Sequence, residues 1–416
     1  MTPTSAASPG STSSDPRAPI QAVSTTHTSS NPLDAIGGRL PLPLPVPDWS
    51  KPIILLLIAL ALALGARAHN NARRARRLEA QRTRLLSDVH AMQVALVPEV
   101  PPELAATGIS VAYRPADGAA AGGDFYDVFE LDPGRVALVL GDVCGHGREA
   151  LDRAALTRYT IRAYLQAGLE PRAALALAGQ VLADPTCLHF ATVLAGVYDS
   201  STSRLTYASA GHPAPIVLGP GAHVPVEECC SPPVGWGVPT GRRQTSIPLP
   251  ATSAVCFFTD GLTEARCEDG LLGTERLVRL LGGLGPRPGA SDLVRRVTEE
   301  ADATPDDMAA CVLVSQTANA PGPRIEELEL DHKALDGDAV PRFLAACGLD
   351  ENEAADLITR AEELLRTATT AVVRIEIGNG SSRALVFAPE DPSSYELAGP
   401  SHGNGVTVLS PTPAHA

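Results

Sequence analysis

Val136-Ala137-Leu138-Val139-Leu140-Gly141-Asp142-Val143-Cys144-Gly145-His146-Gly147 is the stretch on which the reading of this chain turns. Its apolar, β-branched opening reads as a strand. The strand delivers Asp142 to a turn, where three glycines let the backbone bend and approach a ligand closely. Alone, the pattern also describes a glycine-rich turn capped by Asp. It gains meaning from three others: Gly122-Gly123-Asp124-Phe125-Tyr126-Asp127, Phe258-Thr259-Asp260-Gly261 and Asp306-Asp307-Met308. Three of the four motifs end, or nearly end, an apolar run, and the fourth precedes one. Carboxylates at strand ends can converge in space while lying far apart in the chain. Converging carboxylates repel unless something positive sits among them, and hard divalent cations with oxygen ligands are the usual answer.

Outward from these motifs, residues 109–314 alternate strand and helix patterns. Apolar stretches at 109–113, 136–140, 192–198, 205–209, 214–218, 254–258 and 310–315 read as strands. Helical periodicity runs near 149–166, 171–183, 274–281 and 291–303. Many strands with few helices predict two sheets sandwiched by helices in preference to a doubly wound parallel sheet. The chemistry follows from the acidic set. Two metals held by carboxylates lower the pKa of a shared water and clamp the oxygens of an in-line displacement. Phosphoester hydrolysis suits such a site, because phosphoryl transfer depends on positioning and charge neutralisation. The chain has no Walker loop, no dinucleotide-binding glycine fingerprint and no Gly-x-Ser-x-Gly elbow.

Composition narrows the field. The 416 residues suffice for two or three domains, and the net charge of −14 argues against a nucleic-acid surface. Lys51 and Lys333 are the only lysines. Eight cysteines show no CxxC pairing, so the acidic part reads as reduced and cytosolic.

Residues 1–48, rich in Ser, Thr, Pro and Ala, are expected to be disordered. Residues 49–68 centre on the apolar run Ile53–Ala66 and read as a transmembrane helix; a buried helix of a soluble protein is the alternative. Arg67, Arg73, Arg74, Arg76 and Arg77 follow, which places the C-terminal side in the cytoplasm and makes the chain a single-pass membrane protein. Residues 69–97 form a linker and coiled-coil helix. Leu78, Leu85, Val89, Met92 and Leu96 make a stripe that either pairs two copies as a homodimer through residues 72–97 or packs on the following domain.

Together the motifs carry a resemblance. Met92-Gln93-Val94-Ala95-Leu96-Val97-Pro98, Tyr113-Arg114-Pro115, the Gly-Gly-Asp-Phe-Tyr-Asp block, Phe190-Ala191-Thr192, Ala210-Gly211-His212-Pro213, Phe258–Ala265 and Asp306-Asp307-Met308 occur in the order seen in the SpoIIE-like branch of PPM-type, metal-dependent serine/threonine protein phosphatases. The resemblance implies an α/β fold, an αββα sandwich over residues 98–316, with two Mn²⁺ or Mg²⁺ ions. Asp142 would contact both ions, with the Val143 backbone carbonyl beside it. Asp124 would serve one ion, and Asp260 and Asp306 the other. Asp127 and Asp307 would stand behind them. Cys144 and Ala309 depart from residues common in the family, at positions that supply no metal side chain. The substrate implied is a phosphorylated anti-anti-sigma (STAS) protein in a partner-switching pathway. Three residues keep two readings each: His146 and His212 as general acids or as loop-ordering groups, the latter preferred, and Arg114 as a phosphoryl contact or a surface arginine.

After a linker at residues 317–324, residues 325–410 predict a small α/β domain in the order strand, helix, helix, strand, strand. It faintly resembles the GHKL-type ATP-binding fold of anti-sigma-factor kinases. Thr367 stands where that fold needs a magnesium-chelating Asn, so a degenerate domain that binds a partner and not ATP is expected. A different class of function is a catalytically weak scaffold that only sequesters a STAS or sigma-regulatory partner. The intact acidic set argues against it.

Overall fold

The structure, a computed structural model, describes residues 51–96, 98–105, 107–116, 122–145, 147–183, 190–316, 322–378 and 381–388, with side chains omitted for residues 51, 52, 82–96 and 381. The expected N-terminal segment, His146 and the end of the predicted C-terminal domain, residues 389–410, lie outside the described residues. The chain divides into two units, Met1–Arg77 and Leu78–Ala416.

The first described element is one unbroken helix, α1 (Lys51–Leu96). No Gly or Pro in the arginine-rich stretch interrupts the helical pattern. The segment Ile53–Gln81 is long and apolar enough to cross a membrane, and none of it is buried.

The second unit follows in the order β1 (Glu103–Leu104), β2 (Thr107–Arg114), β3 (Phe125–Asp132), β4 (Arg135–Val143), α2 (Arg148–Gln166), α3 (Pro171–Val181), β5 (Ala191–Asp199), β6 (Arg204–Ala210), β7 (Ile216–Leu218), β8 (Arg243–Pro248), β9 (Ala254–Phe258), β10 (Arg266–Cys267), β11 (Gly270–Leu271), α4 (Gly273–Gly282), α5 (Ala290–Glu300), β12 (Met308–Val314), β13 (Arg324–Leu330), α6 (Ala339–Ala346), α7 (Glu351–Leu365), β14 (Ala371–Gly378) and β15 (Ser381–Phe387). Two antiparallel sheets carry most of it. One runs β1-β2-β12-β9-β7, the other β15-β14-β13-β8-β6-β5-β4-β3.

Side-chain alternation explains the layering. Successive residues of a strand face opposite sides, and here both sides are apolar. Along β4, Val136, Leu138 and Leu140 enter a core that also takes Val255 and Phe257 from β9 and Ala309, Cys311 and Leu313 from β12. Ala137, Val139 and Val143 enter another core, shared with Ala154 and Ile161 of α2 and Leu175 of α3. On the far side of the smaller sheet, Cys256, Phe258, Ala310 and Val312 pack on Leu277 and Leu281 of α4 and Leu293 and Val297 of α5. Two sheets therefore face each other across an apolar middle, with a helix pair outside each. This is the αββα sandwich expected from the sequence.

The C-terminal segment has the expected element order and its own core, in which Phe343, Leu344, Leu357 and Leu365 meet Leu328, Val373 and Ile375. Its second helix opens on a capping box: the Asp350 side chain accepts from the Asn352 and Glu353 amides, and Glu353 reaches back to the Asp350 amide. Its sheet is continuous with the larger sheet of the sandwich, because β13 pairs with β8 from Ile325↔Ser246 to Leu328↔Arg243. That seam is polar. Glu326, fully buried, accepts from Thr245 Oγ1 at 2.7 Å and from Arg243 Nη2 at 3.2 Å, and Arg324 Nε approaches it at 2.7 Å. Gln244 Nε2 donates to Glu327 at 3.2 Å and to Glu170 at 2.9 Å.

Candidate active site

The same alternation decides which acidic side chains meet. In β4, Asp142 shares the face of Leu138 and Leu140, so it points between the sheets. Asp124 precedes β3 and shares the face of Tyr126 and Val128, again the inter-sheet side. Asp307 precedes β12 on the face of Ala309 and Cys311. Asp260 opens a short 3₁₀ turn two residues past the end of β9. The Asp124 motif thus begins a strand, whereas the sequence reading placed it at the close of an apolar run.

Three glycines show how tightly these ends close. A methyl group at Gly123 would overlap the Val143 carbonyl oxygen and lie 2.7 Å from Asp142 Oδ1. One at Gly122 would collide with the Asp307 carboxylate, and one at Gly261 with the Asp307 carbonyl. Four segments from both sheets therefore meet at backbone contact, and only residues without a Cβ permit it.

Hydrogen bonds then orient the carboxylates. Thr259 Oγ1 donates to Asp124 Oδ2 at 2.7 Å and accepts from the Ala309 amide at 2.9 Å. Tyr113 Oη donates to Asp307 Oδ2 at 2.5 Å, and the Ala116 amide donates to Asp307 Oδ1 at 2.8 Å. The Asp307 amide in turn donates to Asp306 Oδ1 at 2.8 Å.

The electrostatics record the crowding. Burial, then the charges of Asp260, Asp306 and Asp307, push the Asp142 carboxyl up to about 7. Burial and the Asp142 charge hold Asp124 well above the usual carboxylate range, against the opposing pull of the Thr259 hydroxyl. Burial, Glu264 and Asp306 raise Asp260. Burial and the bond to Asp307 raise the Tyr113 phenol. Asp124 and Asp142 thus feel one another and the charges of Asp260 and Asp307, as groups in a shared cleft must.

His212 is buried. Its Nε2 donates to the Phe258 carbonyl at 3.0 Å, which leaves Nδ1 to accept from Thr192 Oγ1 at 3.0 Å. Thr192 is the cross-strand partner of Asp142, and Phe258 lies two residues before Asp260. The ring therefore clamps one sheet to the other just behind the carboxylates. Burial drives its pKa down to about 4, so it is neutral at physiological pH. That supports the loop-ordering role and leaves no proton on Nδ1 to give.

Two expected residues point elsewhere. Asp127 shares the face of Phe125 and Phe129, toward α2, and there accepts from Arg162 Nη1 at 2.9 and 3.0 Å. It braces the helix and is turned from the cleft. Arg114 shares the face of Ala112, toward α5, and its guanidinium donates to Thr298 Oγ1. Thr259 and Tyr113 stand within quoted motifs, but the sequence assigns neither a role. The Thr-Asp-Gly spelling of the motif held the only signal for Thr259.

Among the described residues, no three Asp, Glu, His or Cys side chains stand ready as a coordination shell. The donor set nevertheless fits a hard cation. It consists of carboxylate oxygens with the Val143 carbonyl next to Asp142, all oxygen, and the raised pKa values of Asp124 and Asp142 mark uncompensated negative charge.

Residues 132–315 match the family model described as Stage II sporulation protein E (SpoIIE). Protein IcfG of Synechocystis sp. (strain ATCC 27184 / PCC 6803 / Kazusa) is 24% identical over 222 residues, covering 43% of this chain and 33% of that protein. The match thus spans about a third of that curated relative's length. Among solved structures, the RsbU and RsbW domains of Rv1364c from Mycobacterium tuberculosis are 26% identical, covering 65% of this chain and 81% of that one, with a TM-score of 0.44. The SiaA-PP2C domain of Pseudomonas aeruginosa is 19% identical, covering 57% and 98%, with a TM-score of 0.49.

Proposed function

We propose, from the premise that residues 132–315 form a phosphatase domain of the SpoIIE family, that this chain is a membrane-anchored, metal-dependent phosphoserine and phosphothreonine phosphatase. Its substrate would be a phosphorylated STAS protein of a partner-switching pathway. The observation that carries the reading is the meeting of Asp124, Asp142, Asp260, Asp306 and Asp307 at one end of the inter-sheet cleft.

Asp124, Asp142, Asp260, Asp306 and the Val143 carbonyl would hold two Mn²⁺ or Mg²⁺ ions. When bound, the ions supply charge neutralisation for the phosphoryl group and an activated water. The chain's own residues do the rest. Thr259 fixes Asp124, and Asp307, held by Tyr113 and Ala116, fixes the Asp306 side. The apolar middle of the sandwich excludes water from one side of the site. The His212 clamp keeps the carboxylates of the two sheets in register, which matters because small misplacements cost much of the rate.

The helix α1 supports the anchoring. Ile53–Gln81 satisfies length and composition for a span, and arginines follow its apolar part. The phosphatase domain then lies on the cytoplasmic side, and the stripe from Leu78 to Leu96 supplies a homodimer contact. Residues 325–410 would act as a partner-binding domain that takes no ATP.

Phosphate release from phosphoserine and phosphothreonine peptides tests the activity. Release should require Mn²⁺ or Mg²⁺ and disappear in Asp142→Ala and Asp260→Ala. Release that persists in both variants would refute the reading. Co-purification of a phosphorylated STAS protein with Asp142→Ala, and not with wild type, would identify the substrate.

A further inference from the structure

The connection between β7 and β8 carries Gly235-Trp236-Gly237, and both glycines adopt positive φ, 87° and 76°. Side chains larger than hydrogen rarely accept that backbone, so the turn is built to present its middle residue. Trp236 is 54% exposed and Val238 49%. An indole left at a surface gives up a large apolar burial. The Phe190 ring stacks on it, with centroids 4.9 Å apart and planes 12° from parallel.

This aromatic pair is wired to the carboxylate cluster. The Phe190 carbonyl accepts from the Cys144 amide at 2.9 Å, two residues beyond Asp142. Ala191 and Val234 exchange both backbone bonds at 2.9 Å, and Ala191 is the cross-strand partner of Val143. The strand end that bears Asp142 and Val143 therefore also holds the step formed by Phe190 and Trp236.

We propose that Phe190, Trp236 and Val238 form the docking step for the phosphoprotein substrate, seating an apolar side chain that flanks the phosphorylated residue. The proposal rests on the phosphatase reading. The phosphoryl group is common to every phosphoprotein, so selection among them must come from flanking contacts. Stacked aromatic faces carry partial negative charge, so they favour an apolar neighbour over an acidic one. Exposed tryptophan is the residue type that most often dominates such contacts.

The full chain in detergent micelles with Mn²⁺ provides the test. Two phosphoserine peptides are compared, identical except for leucines or serines at the positions flanking the phosphoserine. Wild type should favour the leucine peptide in kcat/KM. Trp236→Ala should reduce that preference about tenfold through KM, and Trp236→Phe should restore most of it. A merely structural role would lower both peptides alike, and that result overturns the proposal. So does a wild type with no preference, or a Trp236→Ala variant that keeps it. Concentration-dependent self-association abolished by Trp236→Ala, with the peptide preference intact, would assign the step to a second copy instead and also overturn it. Failure of wild type to hydrolyse even p-nitrophenyl phosphate with Mn²⁺ strikes the phosphatase reading itself, and the docking step falls with it.

Discussion

Asp142 is half-enclosed by the charges of Asp260, Asp306 and Asp307. Its carboxyl titrates at about 7 in the fold, against the usual 3.8. A carboxyl raised in this way favours the metal-free fold most below pH 4, and the contribution is lost as pH rises through 7. A divalent cation needs the ionised form, so it competes with the proton held there. The thermal stabilisation given by a fixed Mn²⁺ concentration should therefore be small at pH 6 and larger at pH 8. Equal shifts at the two values, measured by scanning calorimetry, would show that Asp142 is not among the groups that bind. At this scale the sequence was informative about which carboxylates converge, because strand-end position is visible in an apolar run. It was silent on the groups that hold them. Tyr113 reads as an ordinary strand residue, and Thr259 as one letter of a common turn. Only the fold brings their hydroxyls to Asp307 and Asp124. It was also misleading for Asp127, whose place two residues into β3 gives it the helix-facing parity.

Elements show the same division between apolar and polar signals. The strands carrying Val136–Leu140 and Ala254–Phe258 were legible because both of their faces are apolar. β8 was not, since Arg243-Gln244-Thr245-Ser246 has no apolar run. Yet β8 is the seam between the sandwich and the C-terminal segment, and its polar side chains are buried against Glu326 and Glu327. Breaking a buried ion pair by removing one partner costs about 3–5 kcal/mol, because the remaining charge is stranded. Glu326→Ala strands both Arg243 and Arg324. It should lower the stability of the sandwich together with the C-terminal segment, by about 3 kcal/mol or more in urea unfolding. A loss confined to the C-terminal segment would show that the two parts do not share a cooperative sheet.

For the whole molecule, the four-layer order was readable from strand and helix patterns, whereas the joining of the C-terminal strands to the larger sheet was not. Pro321-Gly322-Pro323 reads as a linker in sequence, but β13 starts at Arg324 and goes directly into register with β8. A partner held by the C-terminal segment would thus sit on the same sheet that ends in Asp142. Everything else in the account depends on that end of the sandwich accepting cations. Calorimetric titration of the full chain with Mn²⁺ measures this most directly. About two ions should bind per chain, and Asp142→Asn should abolish both events, since Asp142 interacts with Asp124, Asp260, Asp306 and Asp307 alike. Undiminished Mn²⁺ binding in Asp142→Asn, or none in the wild type, would contradict it.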